Sequence, residues 1–177
     1  MNAALRYPVL LWALLSVSSP FAGDRKMGNK MDAQSIELPF RMKPQDLLQV
    51  EFLWEYQPAQ AKSPTESIRI AGTTGVTLAK PGSDKAKPDI LHAKQDPQAL
   101  IALLKLFEDY GFLQEESADP DPDQAQHFLG LKIPGQSNRV LVAGEEADFL
   151  NRLAGAVRMA AALSAPEAFD KGFLKKL

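Results

Sequence analysis

Hydrophobic and polar positions alternate most sharply in "DLLQVEFLWEYQP". Leu48, Val50, Phe52, Trp54 and Tyr56 fall on one side, and Gln49, Glu51, Leu53, Glu55 and Gln57 on the other. A period of two with aromatic members predicts a half-buried strand, which Pro58 ends. Trp54 and Tyr56 read as its core face, with an exposed binding surface as the alternative. "AQAKSPT" is a loop. In "ESIRIAGTTGVTLAKPG", Ile68 and Ile70 answer Val76 and Leu78 across Gly72-Thr73-Thr74-Gly75. That is a hairpin, since glycine admits the positive φ of tight turns. "GSDKAKPD" is a second loop, and "ILHA" predicts a short fourth strand.

The period then changes. In "DPQALIALLKLFEDYGF", Leu100, Leu103, Leu104 and Phe107 recur at i, i+3, i+4 and i+7, the spacing of one helical face. Asp96 is the expected N-cap, and Pro97 occupies the first helical position. Gly111 stops the helix in the left-handed conformation, which lets Phe112 fold back on the last turn. "HFLGLKIPGQSNRVLVAG" predicts a second hairpin: His127, Leu129, Leu131 and Ile133 alternate, "PGQSN" turns, and Val140 and Val142 return. "EEADFLNRLAGAVRMAAALS" predicts a second helix. Glu145, Glu146 and Asp148 sit at its positive end, and Phe149, Leu150, Leu153, Val157 and Ala160 form its apolar face. Pro166 ends it. The tail, 166–177, predicts another turn or two packed on the domain, although Phe169, Phe173 and Leu174 with Lys171, Lys175 and Lys176 also resemble a short membrane-surface pattern.

Strands joined by short turns are antiparallel, and two one-sided helices can cover one face of their sheet. The expected fold class is therefore α+β: an antiparallel sheet of about four to six strands with two helices packed on one face. Both halves run strands then helix, with no residue-level repeat.

The N-terminus changes the picture. "MNAALRYPVLLWALLSVSSPFAG" places Arg6 before an apolar run from Val9 to Leu15, followed by small residues. This is the plan of a secretory signal peptide, and the run is far short of the ~20 residues a spanning helix needs. An uncleaved anchor or buried helix is the alternative. Cleavage after Ser18 fits small-residue rules better than cleavage after Ala22, which would leave Pro20 close before the cut. The expected organisation is a signal peptide over 1–22, a polar leader over 23–45 with a short extended piece at Ile36–Phe40, one domain over 46–165, and the tail. The protein is expected to be exported, periplasmic or secreted, without stable membrane insertion once the signal is cleaved. The chain has no cysteine, so its core must hold it without disulfides. A formal charge of -2 over 177 residues argues against nucleic-acid binding.

Candidate chemistry centres on "SADPDPDQ". Asp119, Asp121 and Asp123 alternate with Pro120 and Pro122. Calcium loops space carboxylates this way, but from Asp119 the sixth and twelfth positions are Gln124 and Gly130, where Gly and Glu are required. Proline also fixes φ, and in a polyproline conformation residues two apart differ by about 240° around the axis. The three carboxylates then point in three directions. The expectation is a stiff, solvated spacer whose Asp119, Asp121 and Asp123 form a candidate partner-contact loop, with no metal site. The two histidines, His92 and His127, lie in strand-like segments and read as structural. Thiolate zinc sites are excluded. No H-E-x-x-H, G-x-S-x-G or phosphate-loop motif occurs, and adjacent acidic pairs such as Glu115 with Glu116 point apart. No catalytic residue or cofactor is expected.

The stretch from about Glu66 to Leu163, through "SIRIAGTTGVTL", "LIALLKLFEDYGF", "HFLGLKI" and "RVLVAGEEADFLNRL", resembles in layout a group of small secreted bacterial domains. Emfourin-type inhibitors of thermolysin-like metalloproteases share the plan. Their hairpin-start motif is replaced here by Ile70-Ala71-Gly72-Thr73, so no inhibitory residue carries over. The resemblance implies an α+β domain that docks a protein, with protease inhibition as its specific form. The functional expectation is an exported, non-enzymatic protein-binding module, its contacts an exposed sheet edge and the acidic loop. Two alternatives stand beside it: an enzyme or small-ligand binder with a pocket between sheet and helices, lined by perturbed carboxylates or His127, and a structural accessory protein of the envelope.

Overall fold

The computed structural model describes residues 38–82, 87–142 and 147–174, the side chain of Ala147 excepted. The signal-peptide reading of 1–22, the leader up to residue 37, Glu145 and Glu146, and Lys175 and Lys176 lie outside them. Six antiparallel strands form one sheet: β1 (Glu51–Gln57), β2 (Glu66–Ala71), β3 (Gly75–Lys80), β4 (Asp89–Ala93), β5 (Gln126–Ile133) and β6 (Gln136–Leu141). Their spatial order is β4-β3-β2-β1-β5-β6. The first aromatic strand is thus central, between β2 and β5. Two long helices, α1 (Pro97–Asp109) and α2 (Ala147–Ser164), and a single turn, α3 (Glu167–Asp170), complete an α+β fold.

The alternating residues of β1 set the register. Phe52 faces Ile70 and Leu131, and Trp54 faces Ile68 and Leu129. In the first hairpin Ile68 meets Leu78 and Ile70 meets Val76, as the alternation requires. These side chains share one core with Leu100, Leu103, Leu104 and Phe107 of α1 and Leu150, Leu153 and Val157 of α2. α1 starts as its sequence dictates: the Asp96 carboxylate accepts the Gln98 N–H at 3.0 Å, and Pro97 leads. Gly111 ends it with φ +66°, which returns Phe112 to the core. The Phe107 ring then meets Phe52 and Phe112 edge-on, both at 4.8 Å. Each such pair adds about 0.5–1.5 kcal/mol beyond area burial.

Several boundaries move. The expected strand from Leu48 begins at Glu51, because Pro44–Gln49 coils into a 3-10 helix that leaves Leu48 exposed. Pro44 at its start and the Asp46 carboxylate on the Lys43 N–H (2.8 Å) nucleate that turn. The extended piece expected at Ile36–Phe40 is, in its described part, a 3-10 turn over Pro39–Arg41. Phe40 and Arg41 both have positive φ there, and the Phe40 N–H donates to Glu108 of α1 at 2.6 Å. Leu38 is buried, and Phe40, Met42 and Leu47 pack on the core. The domain therefore begins by Leu38, ahead of the expected boundary at 46. It also runs past 165: Ala168 and Leu174 are buried, and the Lys80 ammonium lies over the Phe173 ring at 4.7 Å. The second hairpin turns on Pro134-Gly135 alone, so Gln136, Ser137 and Asn138 belong to β6 instead of the turn.

Candidate functional site

The two edges of the sheet differ. At β6, the Leu141 N–H donates to Ser117 Oγ at 3.0 Å. The Asn138 amide donates to the Phe112 and Glu115 carbonyls, both at 2.8 Å. The segment leaving α1 is thereby tied along β6. At β4, among the described residues, no backbone hydrogen bond runs to anything but β3. β4 is five residues long, with Ile90 54% exposed on the side away from the helices and Leu91 half-buried on the other. His92, on the same side as Ile90, shares a 3.1 Å hydrogen bond with Thr77 Oγ1.

The face opposite the helices carries two ion pairs. Arg69 meets Glu51 at 2.6 Å, and this hydrogen bond raises the guanidinium pKa. Arg139 donates to one Glu55 oxygen from Nε and Nη2, at 3.0 and 2.7 Å. It also lies flat over Phe128, 3.8 Å from the ring centroid. Between Leu53 and Arg139 the strand position belongs to Gly130, and its missing side chain leaves a hollow. The hollow measures about 210 Å³ and is lined by Glu51, Leu53, Gly130, Lys132, Ser137 and Arg139, with backbone of Leu131 and Asn138. This concavity lies on the open face, away from the sheet–helix interface where the enzyme or ligand-binder alternative would place a pocket. At that interface Phe52, Leu104, Phe107, Phe112, Leu129, Leu153 and Val157 are fully buried.

The acidic loop is built differently from a spacer. Asp119, Asp121 and Asp123 are all exposed. Among the described residues only Asp121 is engaged: its carboxylate accepts the Asp123 N–H at 3.0 Å and the Gln124 amide at 2.6 Å. Pro122 and Asp123 lie in the resulting turn. The turn is moored on both sides. Buried Gln126 donates to the Asp121 carbonyl, and the Gln60 N–H donates to the Pro122 carbonyl at 2.7 Å. The stiff extended spacer is corrected to a closed, docked turn, because an Asx turn supplies the hydrogen bond that a polyproline strand lacks. Among the described residues no three His, Asp or Glu side chains come together as a metal site.

At the end of the sheet, on the helix side, His127 lies opposite Tyr56 in register. Its ring is 5.0 Å from Tyr56 and 5.6 Å from Trp54, and the Arg158 guanidinium of α2 sits 5.5 Å over Trp54. Burial against these rings and the Arg158 charge lower the His127 pKa, against a weaker upward pull from Glu66. The histidine is thus an exposed ring that leans against the aromatics at the end of the sheet. Neither Trp54 nor Tyr56 forms an exposed platform: Trp54 is buried and Tyr56 half-buried.

Sequence reasoning missed the hollow and the mooring residues. A glycine inside an alternating strand, Gly130, was the available signal for the first. Asn138 and Ser117 gave none, because their roles depend on partners more than twenty residues along the chain. No protein-family model matches the chain, and no curated protein matches it. No helix among the described residues is long and apolar enough to cross a membrane.

Proposed function

We propose that this protein is an exported protein-binding module, and that its β4 edge takes an extended segment of the partner. The observation that carries the reading is the contrast between a β6 edge tied by Ser117 and Asn138 and a β4 edge bonded only to β3 among the described residues. An added strand gains main-chain hydrogen bonds, while Ile90 on one side and Leu91 on the other offer apolar contacts for alternate side chains. The reading is non-catalytic and needs no cofactor. Export rests on the signal-like start of the chain, and places the protein in the periplasm or outside the cell. The acidic loop is a separate contact: it is moored to the start of β5, four strands from β4, or about 19 Å. The layout shared with emfourin-type inhibitors makes a metalloprotease the first partner to try.

The test is a paired capture from envelope and secreted extract, with the wild-type chain and Ile90→Lys immobilised side by side. A lysine on an exposed edge opposes strand addition without disturbing the core. A partner retained at stoichiometric yield by the wild type and lost from Ile90→Lys supports the edge. A partner held equally by both, or none held by either, overturns it.

A further inference from the structure

We propose that the hollow over Gly130 receives the carboxylate side chain of an acidic partner segment. The argument is one of charge and size. Among the described residues of the strands, three cations stand on this face: Arg69, Arg139 and Lys132. Arg69 is answered by Glu51 and Arg139 by Glu55, whereas Lys132 makes no ion pair among the described residues. Glu51 lies directly across from Lys132 in register, but its carboxylate is held by Arg69 at 2.6 Å on the far side. The rim is thus left with one uncompensated positive charge, which a single carboxylate balances. Ser137 lies across from Lys132 on the other side, so a hydroxyl donor and an ammonium flank the same opening. Leu53 and the bare Gly130 backbone form the floor, which suits the methylenes of a glutamate stem. The hollow measures about 210 Å³. It is smaller than the ~300–1,000 Å³ of small-molecule sites, so it fits one side chain better than a cofactor. Arg139 is already flattened on Phe128 and paired with Glu55, so the far wall is fixed before anything binds.

The inference stands apart from the β4 reading, because the hollow lies on β1, β5 and β6. The probe is an acetylated, amidated hexaglutamate, with hexalysine and hexaserine as controls and free glutarate as the small-acid comparison. Backbone amide NMR of the full chain follows the Gly130, Lys132 and Ser137 signals. Saturable shifts at these amides are expected with hexaglutamate at about millimolar concentration, weakening as salt rises. Hexalysine and hexaserine are expected to leave them still. Lys132→Gln is expected to weaken binding roughly tenfold. Gly130→Ala is the second variant, because its Cβ would stand 3.3 Å from the Leu53 Cβ and fill the floor. Both variants are checked for an unchanged fold by their remaining amide signals. Absence of saturable shifts overturns the proposal, as does binding that neither variant weakens. Glutarate binding as tightly as the peptide would make the site one for free small acids and overturn the partner assignment.

Discussion

Replacing each aspartate of the acidic loop in turn separates the docked turn from a spacer. In a spacer the three are equivalent. Among the described residues only the Asp121 carboxylate of the three accepts hydrogen bonds, from the Asp123 N–H and the Gln124 amide. Removing it opens a turn whose Asp121 and Pro122 carbonyls are moored by Gln126 and Gln60. Side-chain caps of this kind contribute about 0.5–2 kcal/mol. Asp121 is exposed, so water recovers part of the loss, and about 1 kcal/mol is expected for Asp121→Ala. A domain of about 140 residues unfolds with an entropy of ~0.3 kcal/mol/K, so the melting temperature should fall about 3 °C. Asp119→Ala and Asp123→Ala remove no side-chain hydrogen bond among the described residues and should stay within about 0.5 kcal/mol of the parent. Asp121→Asn keeps an acceptor and should recover most of the loss. Urea unfolding followed by circular dichroism resolves these differences. Equal effects from all three alanines, or a silent Asp121→Ala, would refute the docked turn.

Phe107→Ala removes the ring that joins Phe52 to Phe112, and about 3–5 kcal/mol of stability should go with it, seen as a urea midpoint shift; a loss below about 1.5 kcal/mol would contradict the packing. Gly72→Ala would place a Cβ 1.8 Å from the Leu47 carbonyl oxygen, so the 3-10 helix over Pro44–Gln49 must move. The expected cost is about 1–3 kcal/mol, with faster hydrogen exchange at the Gly72 N–H, which now donates to the Val50 carbonyl at 3.0 Å. His127 gives a pH dependence. Its folded pKa lies below the ordinary 6.5, so the unfolded chain binds the proton more readily. Its neutral form is therefore favoured above about pH 6.5, and stability should fall as pH drops from there through the folded pKa. Melting curves of the wild type and His127→Gln, taken from about pH 8 to about pH 5, should diverge over that window, and parallel curves would contradict the shift.

Elements with short-range causes were legible in the sequence. The cap at Asp96, the stop at Gly111 and the pairing of Ile68 and Ile70 with Leu78 and Val76 each follow from neighbours a few residues away. Part of what failed depended on distant partners. The 3-10 turn at Phe40 is held by Glu108, 68 residues further along the chain. The aspartate–proline run failed for a different reason: φ restriction alone favours an extended chain, whereas the Asp121 carboxylate closes an Asx turn on the Asp123 N–H, which the distant Gln60 then moors. The hollow was half legible, since Gly130 announces a gap but nothing local says that Lys132 goes unanswered there.

The form of the β4 edge limits the kind of partner it suits. Natural sheets guard free edges with prolines, lysines and short length. β4 follows Pro88, lies between exposed Lys87 and Lys94, and spans only five residues. At about 3.4 Å per residue the pairing surface is about 17 Å long. A second copy joined through this strand alone would bury far less than the ~1,200–2,000 Å² of a stable interface. Aggregation through the edge is opposed by the same lysines. A partner that binds here must therefore bring contacts beyond the strand it adds. An extended segment on a larger protein does so, because its neighbouring surface can reach Ile90 on the open face while its backbone completes β4. That requirement favours a folded partner presenting an exposed segment over self-association or a short free peptide.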